Sequence, residues 1–271
     1  MHKLKDKVVI ITGASSGIGQ ALAAEAIQLG MKVVLAARRA SLMQEFAERS
    51  NWPAERFLCV AADVSQEEDC RRLIDQTVAR FGRIDVLINN AGISMRALFA
   101  DLNLGVMKQL MDINFWGTVY CTKYALPWLR QSKGSVAGVS SIAGFKGLPA
   151  RTGYSASKFA MHGFLESLRT ENLKTGLHVL IACPGFTASN IRKTALAHDG
   201  TTQGESPRDE ASMMQPDEVA LHILKAIAKR RRTLVLTGQG KLTVLLGKLF
   251  PAYTDKLVYA HMAKEPDSPF K

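Results

Sequence analysis

Short apolar runs rich in β-branched residues alternate with longer stretches whose apolar positions recur every three or four residues. A β-branched run without polar alternation is the pattern of a strand buried on both faces, and the three-to-four spacing is that of a helix with one buried face. Strands are expected at 7–12 (K-V-V-I-I-T), 32–36, 56–61, 84–89, 135–139, 177–182 and 233–237. Helices are expected at 17–29, closed by Gly30, and at 41–50, 66–81, 102–130, 153–174 and 216–229. The last opens on Pro216, Asp217 and Glu218, which suit a helix N-terminus. The long one holds Gly105 and Gly117, has Pro127 near its end, and has Asp101 as its expected cap and Asp112 as a surface charge. Strands separated by helices specify an α/β fold, a doubly wound parallel sheet of about seven strands with right-handed crossovers. The polar stretch 190–215, with Gly200, Gly204 and Pro207, is expected to be a long loop. Residues 1–238 are expected to form one domain and 239–271 an extension of it.

The extension changes that picture. Between 239 and 264, L-T-V-L-L-G-K-L-F and L-V-Y-A-H-M carry apolar residues at mixed three- and four-residue steps with lysines between them. An amphipathic helix on an anionic membrane, a cap over a substrate pocket and a subunit interface all fit this pattern. The formal net charge is +11, and from 225 onward ten Lys or Arg stand against Asp255, Glu265 and Asp267. A basic end suits an anionic surface or solubility; without interleaved aromatics, nucleic acid is not expected. The apolar share of 47% and charged share of 22% are those of a soluble globular chain. Cys59, Cys70, Cys121 and Cys183 form no C-x-x-C, and three of them sit in apolar runs. That usage points to a reducing compartment, the cytoplasm, with no disulfide framework and no metal site. The start, M-H-K-L-K-D-K, leads straight into a strand, so no secretory signal is expected, and without a run of about 18 apolar residues no membrane span is expected either.

The chemistry sits at strand ends. The first strand ends in T-G-A-S-S-G-I-G, placing Gly13, Ser15, Ser16, Gly17, Ile18 and Gly19 between a buried strand and a helix start. Glycines there allow a tight turn and close approach of a diphosphate to backbone N–H groups, with the helix N-terminus favouring negative charge. The second strand ends in V-V-L-A-A-R-R. Ala37 stands where an NAD site would have an acid, and Arg38 and Arg39 follow; two guanidiniums without a carboxylate suit a 2′-phosphate, so NADP(H) is expected. Tyr154 and Lys158 are four apart, one helical turn on one face, and an ammonium beside a phenol favours the phenolate.

With these motifs in order, the chain resembles the short-chain dehydrogenase/reductase family over about residues 7–237. The resemblance implies a Rossmann-like fold and carbonyl–alcohol interconversion by hydride transfer. It implies contact with the cofactor at Asp63 and Val64, at Asn90, Ala91 and Gly92 of N-N-A-G, and at Pro184 and Gly185. Thr187 or Ser189 stands where the family has a Thr that meets the carboxamide. Asn114, Ser141, Tyr154 and Lys158 match the catalytic set. Tyr154 is implied as the acid and base and Ser141 as a donor to the substrate oxygen. Lys158 is implied to support Tyr154 and bond the ribose, and Asn114 to hold a water leading from Lys158. A homodimer or homotetramer built on the long fifth and sixth helices is implied as well. A non-catalytic dinucleotide sensor is the alternative; such a protein should have lost part of this set, which is complete here.

Ser141, Phe145, Leu148, Tyr154 and Phe186 are expected at the substrate, an apolar ketone, aldehyde or secondary alcohol. Arg96, Lys146 and Arg151 are the visible anchors for an anion, and Met213 and Met214 suit either a greasy pocket or the core. His162, one turn beyond Lys158, is expected to be a packing or surface histidine.

Overall fold

A computed structural model of the protein describes residues 2–205, 213–265 and 268–270. Pro207 and Asp267 lie outside the described residues. Every residue of β1 (Val8–Thr12) is buried, which requires cover on both sides of the sheet. The other strands are β2 (Lys32–Ala37), β3 (Phe57–Ala61), β4 (Val86–Asn89), β5 (Ser135–Val139), β6 (His178–Cys183) and β7 (Thr233–Val235). They form one sheet in the order β3-β2-β1-β4-β5-β6-β7, every pair parallel. Ile10 of β1 stands opposite Val34 on one side and Leu87 on the other. This is the expected single-domain, Rossmann-like, doubly wound architecture.

The helices are α1 (Gly17–Gln28), α2 (Ala40–Arg49), α3 (Glu67–Phe81), α4 (Leu104–Leu110), α5 (Gly117–Gln131), α6 (Thr152–Glu171), α7 (Pro216–Ala228), α8 (Gly238–Leu249) and α9 (Pro251–Ala263). One core lies between the sheet and α1 and α7, around Leu22, Val33, Leu35, Ile223 and Leu224. The other lies beneath α3, α5 and α6, around Ile10, Leu73, Leu129, Leu165 and Ile181. Burying each such side chain contributes about 1.5–3 kcal/mol, so the two faces together select this layering.

Two elements differ from expectation. The long helix runs on from Leu104 to Gln131, but Met111–Trp116 is a π-helical segment. The extra residue in that turn carries Asn114 inward to full burial. Gly117 follows where a Cβ would come within 2.7 Å of Val64 Cγ2. The cap is Asn103, whose Oδ1 accepts from the Gly105 N–H at 2.8 Å, not Asp101. The extension is two helices rather than one. Pro251 has no N–H to donate and is favoured in a helix's first turn; the chain breaks at Phe250 and α9 starts anew there.

At the N-terminal edge of the sheet Asp85 ties β1 to β4. Its carboxylate accepts from the Val8 N–H and Lys7 Nζ, both at 3.0 Å, and from Arg83 Nε and Nη2 at 2.8 and 2.6 Å. Burial works to raise its pKa, but the bonds from Arg83, Val8 and Lys7 outweigh burial and hold it below the ordinary carboxylate value. A depressed carboxylate pKa stabilises the fold above the unfolded value and loses that contribution as the pH falls through the folded one. Asp85→Asn is expected to cost about 2 kcal/mol at neutral pH. In urea titrations the gap from wild type should narrow below about pH 4; a gap independent of pH would contradict this role.

Candidate functional site

The C-terminal ends of the strands meet three adjoining spaces. A groove of about 510 Å³ crosses the ends of β1, β2 and β4 and is lined by Gly13, Ser15, Ser16, Gly17, Ile18, Gly19, Arg38, Arg39, Asp63, Val64, Asn90, Ala91, Gly92 and Ser189. A smaller cavity of about 160 Å³ follows, lined by Ser141, Tyr154, Lys158, Pro184, Gly185, Thr187 and Ser189, with Leu148, Arg151 and Phe186. Beyond it a third space of about 730 Å³ takes Ser141, Leu148 and Phe186 on one side and Met213, Met214, Leu246, Leu257, Val258, His261 and Met262 on the other. The structure thus brings together all but two of the residues expected at the site. Asn114 supports it from behind, and Phe145 lines none of these spaces. Phe145 instead packs edge-on against the His162 ring, centroids 4.5 Å apart, because the turn Ile142–Gly144 directs it into the core.

The groove is shaped by backbone. Gly13 has φ +65°, and a Cβ there would stand 2.8 Å from Ala91 Cα; at Gly19 a Cβ would reach to 2.2 Å from Gly13 O. Ser16, which precedes α1, makes no side-chain cap bond, so the first-turn N–H groups of α1 remain available to a ligand. Those donors, the positive helix end and the Arg38 and Arg39 guanidiniums fit a phosphate-bearing dinucleotide. Asp63 takes an additional local role: its Oδ1 accepts from the Ser65 N–H and hydroxyl.

Thr12, inside the quoted glycine motif, holds the crevice together in a way that spacing did not reveal. Its Oγ1 accepts from the Asn90 and Ala91 N–H groups, each at 3.0 Å. Asn90 Nδ2 in turn donates to Thr12 O at 2.8 Å. Asn114 Oδ1 accepts from the Ile93 N–H at 2.8 Å, and its Nδ2 donates to Ile93 O and Ser157 Oγ. A Cβ on Gly92 would lie 3.1 Å from that Oδ1 and 3.5 Å from Lys158 Nζ, so glycine lets the loop pass between them.

Tyr154 and Lys158 share the face of α6 that looks onto Ser141, with Lys158 Nζ 5.8 Å from the centre of the Tyr154 ring. Lys158 Nζ donates to Val139 O at 3.0 Å. The expectation that this ammonium lowers the phenol's pKa is corrected here. Burial raises the Tyr154 pKa, and a bond with the Ser141 hydroxyl and the charge of Arg151 pull it down only in part. Burial also lowers Lys158, to about 8. Ser141 Oγ accepts from the Ala143 N–H at 3.2 Å, and its own proton serves the bond to Tyr154. Thr187 Oγ1 donates to Gly185 O at 3.2 Å, and both Thr187 and Ser189 face the small cavity.

His162 is buried, as the packing reading has it, but it is also bonded. Its Nε2 shares a hydrogen bond with Ser140 Oγ at 2.7 Å and lies 3.7 Å from Cys183 Sγ. Burial, then the Lys158 charge, push its pKa down to about 4. Glycine again makes room: a Cβ on Gly144 would stand 2.6 Å from His162 Nε2. The i+4 spacing from Lys158 was the one available signal. Arg96 and Arg151 meet Glu265, and Lys146 meets Asp255, so each expected anion anchor is paired with an acid of the extension.

Comparison with known proteins agrees with the fold and identifies the family. The family profile described as short chain dehydrogenase matches residues 7–200. The 11-beta-hydroxysteroid dehydrogenase A of Sesamum indicum is 44% identical over 187 residues, 68% of this chain and 53% of that protein; the chain thus spans about half the length of that relative. The uncharacterized oxidoreductase YxnA of Bacillus subtilis is 35% identical over 99% of this chain and 77% of its own. Among solved structures, a short chain dehydrogenase/reductase from Burkholderia phymatum in complex with NAD superposes with a TM-score of 0.80 at 23% identity, covering 92% of this chain and 95% of that one.

His162 provides a test of the site's dryness. Its pKa is about 4 folded against about 6.5 unfolded. Between those values the unfolded chain binds the extra proton, so stability falls as the pH drops. In denaturant titrations wild type should lose up to about 1.4 kcal/mol per pH unit across that window, beyond the loss seen in His162→Gln. Parallel profiles for the two proteins would refute a buried neutral imidazole.

Proposed function

The chain belongs to the short-chain dehydrogenase/reductase family, and on that premise we propose that it is an NADP(H)-dependent oxidoreductase interconverting an apolar alcohol and its ketone or aldehyde. The observation that carries this reading is the position of Ser141, Tyr154 and Lys158, at the junction between a dinucleotide-shaped groove and a largely apolar cavity. Arg38 and Arg39 on the groove wall, directly after Ala37 at the end of β2, support the choice of NADP(H). The apolar lining, and the hydroxysteroid dehydrogenase name of the sesame relative, support a bulky apolar substrate.

When bound, the nicotinamide supplies or accepts the hydride. Burial keeps the Tyr154 phenol protonated, so in reduction it is ready to donate to the developing alkoxide, and in oxidation it takes that proton back. Ser141 presents a second donor to the same oxygen. Lys158, its own pKa brought to about 8, can hold or pass a proton near neutral pH. Asn114 holds the backbone of Ile93 beside it, and its Oδ1 keeps a further lone pair for a water leading outward.

The extension and the helix faces support two additions. Leu242, Leu245, Leu249, Phe250 and Tyr253 are each more than half exposed on α8, α9 and the break between them, with Lys241 and Lys248 among them. That is the composition of peripheral contact with an anionic membrane, by a protein otherwise in the cytoplasm. Among the described residues no helix is long and apolar enough to cross a membrane. Exposed Trp116 and Phe159, on the π-helical segment and on α6, support a homodimer or homotetramer.

Turnover of a carbonyl panel with each cofactor is the direct test. NADPH should be preferred over NADH by about tenfold or more, the worth of one charge-assisted bond, and Arg38→Ala with Arg39→Ala should abolish the preference. Tyr154→Phe is expected to lower kcat by about 10²–10⁴-fold; full activity in that variant would refute the mechanism. For the membrane contact, the 271-residue chain should float with phosphatidylserine vesicles, and Leu245→Glu with Leu249→Glu should not. Equal flotation of the two proteins would remove that element.

A further inference from the structure

Tyr154, Lys158 and His162 stand on successive turns of one face of α6. Each holds a different residue at the end of β5. Tyr154 is bonded to the Ser141 hydroxyl. Lys158 Nζ donates to Val139 O at 3.0 Å. His162 Nε2 shares a hydrogen bond with Ser140 Oγ at 2.7 Å. Val139, Ser140 and Ser141 are consecutive, so the helix grips this stretch at every residue. Tyr154 and Lys158 belong to the proposed chemistry; the grip at His162 is not used by it.

His162 reaches both sides of Ser141. On one side is Ser140, which is buried and whose N–H donates to Ala182 O at 2.7 Å. On the other the chain turns through Ile142–Gly144, with Ser141 as the cap of that turn. The turn folds back onto the imidazole. A Cβ on Gly144 would stand 2.6 Å from Nε2 and 2.8 Å from Cε1, and the Phe145 ring packs edge-on against it. Cys183, the residue before Pro184 and Gly185 of the cavity wall, lies 3.7 Å from the same nitrogen. Ser141 thus hangs between two points that both rest on one ring. Moving a group that must meet a reacting oxygen by about 1 Å is enough to cost about a hundredfold in rate. We propose that His162 is a positioning residue: it sets where the Ser141 hydroxyl stands relative to Tyr154, without touching substrate or cofactor. An uncharged imidazole suits the task, because it grips Ser140 without placing a second positive charge one turn from Lys158. The inference rests on the reading that Ser141 and Tyr154 act together on a carbonyl oxygen, and it adds the residue that holds them in register.

Fluorine NMR on the 271-residue chain labelled with meta-fluorotyrosine reads the Ser141–Tyr154 bond with no substrate present. The Tyr154 resonance is the one missing from Tyr154→Phe. A hydrogen bond donated to the phenol oxygen stabilises the phenolate, so its loss raises the phenol pKa. Ser141→Ala sets the size of that rise, about one unit. His162→Leu and Ser140→Ala should each reproduce at least half of it. His162→Gln, whose amide reaches the position of Nε2, should not. Ser140→Ala deletes the same bond from its far side and leaves the ring in place, so it carries the test if His162→Leu does not fold. An unmoved Tyr154 pKa in the folded variants would overturn the proposal, and so would an equal rise in His162→Gln, which would indicate packing alone. NADPH oxidation with para-nitrobenzaldehyde is read separately. In His162→Leu and Ser140→Ala kcat should fall about ten- to hundredfold, with KM for NADPH within about twofold of wild type, and His162→Gln should restore most of the loss. Where wild type turns over, either change without the other overturns the proposal. Titrations as expected with no turnover by wild type count against the oxidoreductase reading alone; wild-type turnover with both readouts unmoved in the variants counts against His162 alone.

Discussion

Strand β1 lies between β2 and β4 with all of its residues buried, and this constraint organises the molecule. A strand covered on both faces and paired in parallel with both neighbours forces every connection to leave through a helix and return on the same edge. From β1 the chain builds outward to β2 and β3 on one side, then crosses back to β4 on the other. The crossover leaves a crevice at the strand ends, where α/β sheets receive their ligands. Thr12 bonds the two lips of that crevice through Asn90 and Ala91, and Gly13 and Gly19 let them close to backbone contact.

Behind the crevice one physical cause dominates the shifts of four ionisable groups. Loss of water pushes Tyr154 up and Cys183 up to about 12, and pushes Lys158 down to about 8 and His162 down to about 4. Each shift favours the uncharged form, as burial must when no opposite charge is in contact. The charge that lowers Tyr154 in part is Arg151, and the extension supplies a counter-ion for it. A phenol kept protonated in a dry compartment, beside an ammonium close to its own titration point, is an arrangement suited to moving one proton at a time.

The extension shows how far a sequence pattern carries. Its apolar and lysine spacing fitted a membrane, a pocket and an interface alike, because an apolar helical face does not say what covers it. In the fold Pro251 splits it, Leu246, Leu257 and Met262 turn toward the cavity, and Leu245, Leu249 and Phe250 stay outside. The same contacts reassign the three cations that looked like anion anchors, since their partners lie 109 to 169 residues away in Asp255 and Glu265.

The amino-acid sequence alone determined the layering and the address of the chemistry. Strand and helix periods are local, and the glycine motif, the Arg38–Arg39 pair and the Tyr154–Lys158 spacing each fall within one strand–turn–helix unit, so adjacency along the chain implies adjacency in space. Tertiary structure alone decided which charges face which. The π-helical turn that buries Asn114, the Ser140–His162–Cys183 contact, the diversion of Phe145 into the core and the Glu265 pairing each depend on segments far apart in sequence. So does the direction of the Tyr154 shift, because desolvation is set by what packs around a group and not by what stands four residues away.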